Sequence, residues 1–282
     1  MNGLWVWQLK KLTPSEVVDM ARRMGCRRVI CKTRDGRKRM NAGLVGPLAE
    51  ECKKAGLELW VWAWVYPRNP SATRPDAEGD AYVQDQAALL AQDCRDFGAA
   101  GVVANAEAPF SWSLNHKWAA GHLLAWGNEA KRRDALKHRG ALYIQTLRAL
   151  TPSQATVGLS TFPLPRNHKL PFAELASGAD VIMPQFYFRA GASTYEERAT
   201  KSAEQWSALV GPKPLRYTGP IFRGARSAAN VIAALNAARS RLATLGLPTP
   251  LAHSLDWWTA DRLDSERASI EELLGDPPPH LR

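Results

Sequence analysis

Residues 3–33 read GLWVWQLKKLTPSEVVDMARRMGCRRVICKT, and this stretch decides the fold. GLWVWQL (3–9) is a short apolar and aromatic run of strand character. Thr13 before Pro14 marks a helix start, the following residues keep a helical period, and Gly25 marks the helix end. RRVICKT (27–33) is strand-like again. Six further strand-like runs follow: LELWVWAWVY (57–66), GVVANAE (101–107), ATVGLSTF (155–162), DVIMPQFYF (180–188), PLRYTGPIF (214–222) and LAHSLDWW (251–258). Segments of helical period separate them, such as SAANVIAALNAARSRLATLG (227–246).

Strand then helix, repeated eight times, predicts an α/β fold, a single (β/α)8 TIM barrel over residues 1–275, with an irregular tail over 276–282. A doubly wound open sheet is the alternative, but no GxGxxG or GxxxxGK turn follows an early strand. Two stretches exceed what a barrel loop needs: the Pro-rich polar 67–80, and an enlarged loop and helical insertion after strand 4, residues 108–140, carrying Trp112, Trp118 and Trp126. Both fall at the C-terminal mouth, where βα loops build the site.

The chain of 282 residues is 45% hydrophobic and 23% charged, as expected of a globular protein with a sizeable core. No apolar run approaches the roughly 18 to 20 residues of a membrane span, and MNGLWVWQLKKL lacks the pattern of a signal peptide. Cys26, Cys31, Cys52 and Cys94 form no CxxC pair and are expected to be reduced and mostly buried. The net charge of +10 raises nucleic acid, anionic cell walls and anionic membranes as partners. Nucleic acid is disfavoured because the basic residues are dispersed in short clusters such as RDGRKR (34–39) and KRRDALKHR (131–139). The second cluster is expected to be a solvated helix face. No cofactor and no metal are expected, since the six histidines show no ligand spacing. Ser160 has no G-x-S-x-G turn around it.

Within GVVANAE, residues two apart face the same side of a strand, so Val103, Asn105 and Glu107 share a face that ends in a carboxyl at the barrel mouth. Other strand ends can deliver Gln8, Lys32, Trp62, Trp64, Tyr66, Gln185, Tyr187, Tyr217, Asp256 and Trp258 to the same place. Carboxyls, amides, tyrosines and several of the 11 tryptophans together suit a sugar site, where rings stack on pyranose faces and polar groups bind hydroxyls. Structural readings stand beside these: Glu107 can close a salt bridge with Lys32, Asp256 can cap the following turn, and aromatic stripes are most often core.

The N-A-E of strand four, the M-P-Q-F-Y of strand six and the D-W-W of strand eight resemble the chitinase-like glycoside hydrolases of family 18, most nearly the class III chitinase branch. Strand four is also similar to that of the family 25 lysozymes. The resemblance spans the barrel and implies a retaining hydrolase of β-linked N-acetylated sugars. It would make Glu107 the general acid/base, Tyr187 the tyrosine beside the reacting sugar, and Trp258 or Trp257 the floor beneath it. Asn105 stands where the family carries an aspartate. An amide can orient the sugar's acetamido group but cannot carry the charge that stabilises an oxazolinium ion. Asp256 is then a candidate second carboxylate, in a retaining or an inverting arrangement according to its distance from Glu107. Two functions follow: a glycosidase cleaving β-1,4 bonds in peptidoglycan, preferred over chitin because the chain is basic, or a barrel that binds glycan without turnover. A bacterial or phage lytic protein, acting at the cell wall or within a phage or cell-wall assembly, is the setting the composition suggests.

Overall fold

A computed structural model describes residues 2–9, 12–23, 25–68, 78–113, 128–185, 195–220, 240–241, 243–246 and 254–257. The strands are β1 (Asn2–Val6), β2 (Cys26–Asp35), β3 (Lys38–Arg39), β4 (Glu58–Trp64), β5 (Gly101–Asn105), β6 (Thr156–Thr161), β7 (Val181–Pro184), β8 (Thr218–Pro220) and β9 (Ser254–Trp257). Apart from β3, they pair in parallel in the order β7-β6-β5-β4-β2-β1-β9-β8. Parallel bridges Ile182↔Leu215 and Gln185↔Thr218 join the two ends of that order and close the barrel. The short β3 folds back antiparallel on the end of β2; the sequence gives no separate signal for it.

The helices are α1 (Pro14–Arg23), α2 (Val45–Lys54), α3 (Gly79–Asp96), α4 (Glu129–Leu150), α5 (Phe172–Ala176) and α6 (Tyr195–Val210). Alpha1 starts with a reciprocal cap. The Thr13 backbone N–H donates to Glu16 Oε2 (2.7 Å), and the Glu16 N–H donates back to Thr13 Oγ1 (3.3 Å). Gly25 ends it at φ +59°, a left-handed conformation that side chains disfavour. Asn128 caps α4 by accepting from the Lys131 N–H at 3.0 Å. Residues 114–127, most of the 227–246 segment and the tail lie outside the described residues.

Strand alternation separates two cores. Leu4, Val29, Val61, Val102, Val157 and Ile182 face the helices. Trp5, Ile30, Trp60, Trp62, Val103, Val181 and Met183 fill the barrel. Gly101 makes room for Trp60, since a Cβ there would lie 2.5 Å from that ring. All four cysteines are buried and none forms a disulfide, and burial raises the Cys26 and Cys52 thiols to about 12 and Cys94 to about 11.

The basic stretch of α4 departs from expectation, because Arg132 and Arg139 are buried. Arg139 donates to the Pro67 carbonyl (3.1 Å) and pairs with Asp80 (3.4 Å), tying α4 to the end of β4 and the start of α3. Among the described residues no helix is long and apolar enough to cross a membrane.

Candidate active site

Beta5 delivers its carboxyl to the C-terminal mouth as the alternation requires. Val103 lies in the barrel core, Asn105 is buried just above it, and half-buried Glu107 follows where the chain enters a 3-10 turn over Ala108–Phe110. Asn105 Nδ2 donates to Glu107 Oε1 at 2.9 Å. Gln185, next after β7, places Nε2 2.6 Å from Asn105 Oδ1, 2.7 Å from Glu107 Oε1 and 3.1 Å from Ser160 Oγ. One amide nitrogen has two hydrogens for these three oxygens, so the contacts are shared. Two amide donors converge on Oε1, and a proton carried by the carboxyl therefore belongs on Oε2. These amide contacts fix the carboxyl's orientation, as a positioned proton donor requires.

A second group adjoins the first across β4. Asp35 pairs in register with Trp64, and Trp64 with Asn105. A register shift between Lys32 and Arg34 interrupts the alternation of β2. Arg34 consequently reaches out to Asp93 of α3, while Lys32 and Asp35 meet, Nζ to Oδ2 at 2.9 Å. Asp35 Oδ1 accepts from the Tyr66 hydroxyl at 2.7 Å. The Lys32 ammonium lies 4.7, 5.0 and 5.5 Å from the ring centroids of Trp7, Trp62 and Trp64. Burial pulls the lysine below its usual range, opposed by Asp35 and then by the charge of Glu107. Burial, with the bond to Asp35, pushes the Tyr66 phenol upward.

Glu107, Asn105 and Gln185 thus share one network, with Lys32, Trp62, Trp64 and Tyr66 beside it. Several expected roles change. Lys32 and Trp62 are 0% and 5% exposed and offer a sugar almost no surface. Lys32 pairs with Asp35, where an ion pair with Glu107 was the structural expectation. Tyr217 packs on the helix side of the sheet with Trp206 and beside Ser202, not in the mouth. Gln8 is half-buried in the turn after β1, outside both groups, and the neighbouring Trp7 enters the site instead. Asp256 pairs in register with Trp5, a barrel-interior position, and Trp257 with Val6, a helix-side one. Tyr187 and Trp258 lie outside the described residues.

Asp35, Trp7 and Ser160 were missed. Trp7 could have been found from parity with Trp5, which repeats the Trp60, Trp62, Trp64 alternation of β4. Among the described residues no group of three His, Cys, Asp or Glu side chains could hold a metal ion.

No family model and no curated protein sequence matches this chain. Solved structures do. The fold is similar to that of the spore cortex-lytic enzyme SleL of Bacillus cereus, with TM-score 0.60 and 7% identity over 96% of this chain and 73% of that one. It is also similar to a class V chitinase from Pseudomonas fluorescens Pf-5, with TM-score 0.59 and 10% identity over 96% and 99% of the two chains. A chitinase from Bacteroides thetaiotaomicron matches at TM-score 0.58 and 8% identity, over 98% and 97%. At such identities the likeness establishes the barrel fold, one that these glycosidases share.

Proposed function

We propose that this protein is a glycoside hydrolase that cleaves β-1,4 bonds in an N-acetylated polysaccharide, with Glu107 as general acid/base. The observation that carries the reading is the carboxyl of Glu107 at the barrel mouth, oriented by the side-chain amides of Asn105 and Gln185. Glu107 protonates the glycosidic oxygen from Oε2. The substrate's acetamido oxygen attacks the anomeric carbon, so one protein acid suffices. Asn105 and Tyr187 orient that acetamide. The half-buried rings of Trp7 and Trp64, with Trp258, give the sugar its stacking surface.

Peptidoglycan is preferred over chitin. A chain of net charge +10 is drawn to an anionic wall, and the fold is similar to that of a spore cortex-lytic enzyme. The site of action is then the cell wall, reached from a bacterial cell or as part of a phage particle. Asn105 favours a second reading, a barrel that holds glycan without cutting it, because a neutral amide cannot balance an oxazolinium charge. Asp256 is a candidate for that charge.

Purified protein incubated with peptidoglycan and with chitin oligosaccharides separates the readings. The hydrolase reading expects new reducing ends, and more of them from peptidoglycan. Retention on insoluble glycan without new ends would replace it with the binding barrel.

A further inference from the structure

The end of β2 makes two ion pairs of opposite character. Arg34 turns outward to Asp93, and with side chains 10% and 0% exposed the pair is sealed inside the protein. Lys32 and Asp35 divide differently, because the lysine side chain is 0% exposed and the aspartate side chain 30%. The open end of this second pair is its carboxylate. Oδ1 accepts from the Tyr66 hydroxyl at 2.7 Å and Oδ2 from Lys32 Nζ at 2.9 Å, so of the roughly four acceptor positions on a carboxylate about two remain. Asp35 pairs in register with Trp64, whose ring packs against the cluster filling the barrel. The side chain therefore faces inward at the C-terminal end of its strand, where barrel sites lie. The register shift between Lys32 and Arg34 brings it there, and bulges recur where a strand re-aims a side chain beside a site.

We propose that Asp35 is a substrate-binding residue, the carboxylate acceptor of a subsite walled by Trp7, Trp64 and Tyr66 that takes hydroxyl protons from a neutral pyranose ring. The inference rests on the reading of the mouth as a glycan site and is independent of which group acts as the acid. The half-buried Trp7 and Trp64 rings lie 6.2 Å apart, over the same ammonium that holds Asp35. Rings beside a fixed acceptor match a sugar's apolar face and its hydroxyls. Both donors that hold the carboxylate are themselves held. The three tryptophans cage Lys32, and the buried Gln86 side chain of α3 accepts from the Tyr66 N–H at 3.0 Å and donates to the Tyr66 carbonyl at 2.7 Å. The acceptor is thus in place before a ligand arrives, which lowers the cost of binding. Because the lysine is sealed behind the rings, the pair presents only its negative end, which selects hydroxyl donors and disfavours a ring that carries a carboxylate.

The test measures binding of two probes by calorimetry, the N-acetylglucosamine tetramer and a soluble peptidoglycan tetrasaccharide. Glu107→Gln serves as the reference, so that the probes stay intact, and Glu107→Gln/Lys32→Met/Asp35→Asn as the variant. Replacing both members of the pair leaves no orphaned ammonium. Affinity for the tighter-binding probe should fall about tenfold, as a hydrogen bond to a charged acceptor gives way to one with a neutral amide. A purely structural role is separated by NMR. The Asp35 carboxyl carbon signal, assigned by its loss in Asp35→Asn, should shift when the reference protein is saturated with that probe. If the variant does not fold, this signal decides alone. A folded variant that binds as tightly as the reference, or an Asp35 signal unmoved at saturation, overturns the subsite and leaves the glycan reading standing. A reference protein that binds neither probe overturns the glycan reading, and the subsite with it.

Discussion

Asp93→Ala is expected to cost about 3–5 kcal/mol of folding stability, read as a lower denaturant midpoint. Asp93 is fully buried in α3 and takes both forks of the Arg34 guanidinium, Nε to Oδ2 at 2.7 Å and Nη2 to Oδ1 at 2.6 Å. Removing the carboxylate leaves a guanidinium with only 10% side-chain exposure uncompensated. The large cost comes from that orphaned charge. Replacing both partners with apolar side chains, as in Arg34→Met/Asp93→Leu, is expected to recover most of it. A double variant no more stable than Asp93→Ala would show that the cost lies elsewhere, in the packing of α3 against the barrel.

Gln185→Leu is expected to lower kcat/KM about a hundredfold, mostly in kcat, at a stability cost of about 1–3 kcal/mol. Leucine nearly fills the volume but cannot reach Asn105 Oδ1, Glu107 Oε1 or Ser160 Oγ. The buried Asn105 carbonyl loses its donor, the amide gains a reason to rotate, and the carboxyl loses one of the two donors that aim it. Steady-state kinetics with a soluble oligosaccharide separates this from a binding defect, because an orienting residue moves kcat while KM stays near wild type. An unchanged kcat would remove the amide network from the reaction.

The fold was legible because its repeat is local. Each strand-like run ends where a helical period begins, and the Thr13, Pro14 and Gly25 signals mark one helix at both ends. Glu107 was legible because β5 keeps strict alternation, with Val103 and Asn105 inward and Val102 and Ala104 outward. Alternation failed where the backbone breaks it. The register shift after Lys32 turns Arg34 outward and brings Asp35 to the mouth, and neither composition nor spacing marks a bulge there. Tyr217 was misassigned because PLRYTGPIF has no clean period, so its facing was a free choice. Arg139 looked like surface because its sequence neighbours are charged; the carbonyl of Pro67 and the carboxylate of Asp80 that receive it come from segments about 60 to 70 residues away in sequence. The tryptophan faces posed a different difficulty. Aromatic content signals a capacity for stacking, but whether the partner is a sugar or the protein's own lysine depends on tertiary contacts.

The central claim is that Glu107 delivers the proton, and release of reducing ends from peptidoglycan by wild type and Glu107→Gln tests it most directly. Glutamine keeps the shape and one carbonyl acceptor but has no acidic proton. The account predicts release by wild type, a fall of about 10²- to 10⁴-fold in the variant, and glycan binding retained by both. Equal release by wild type and variant would contradict it.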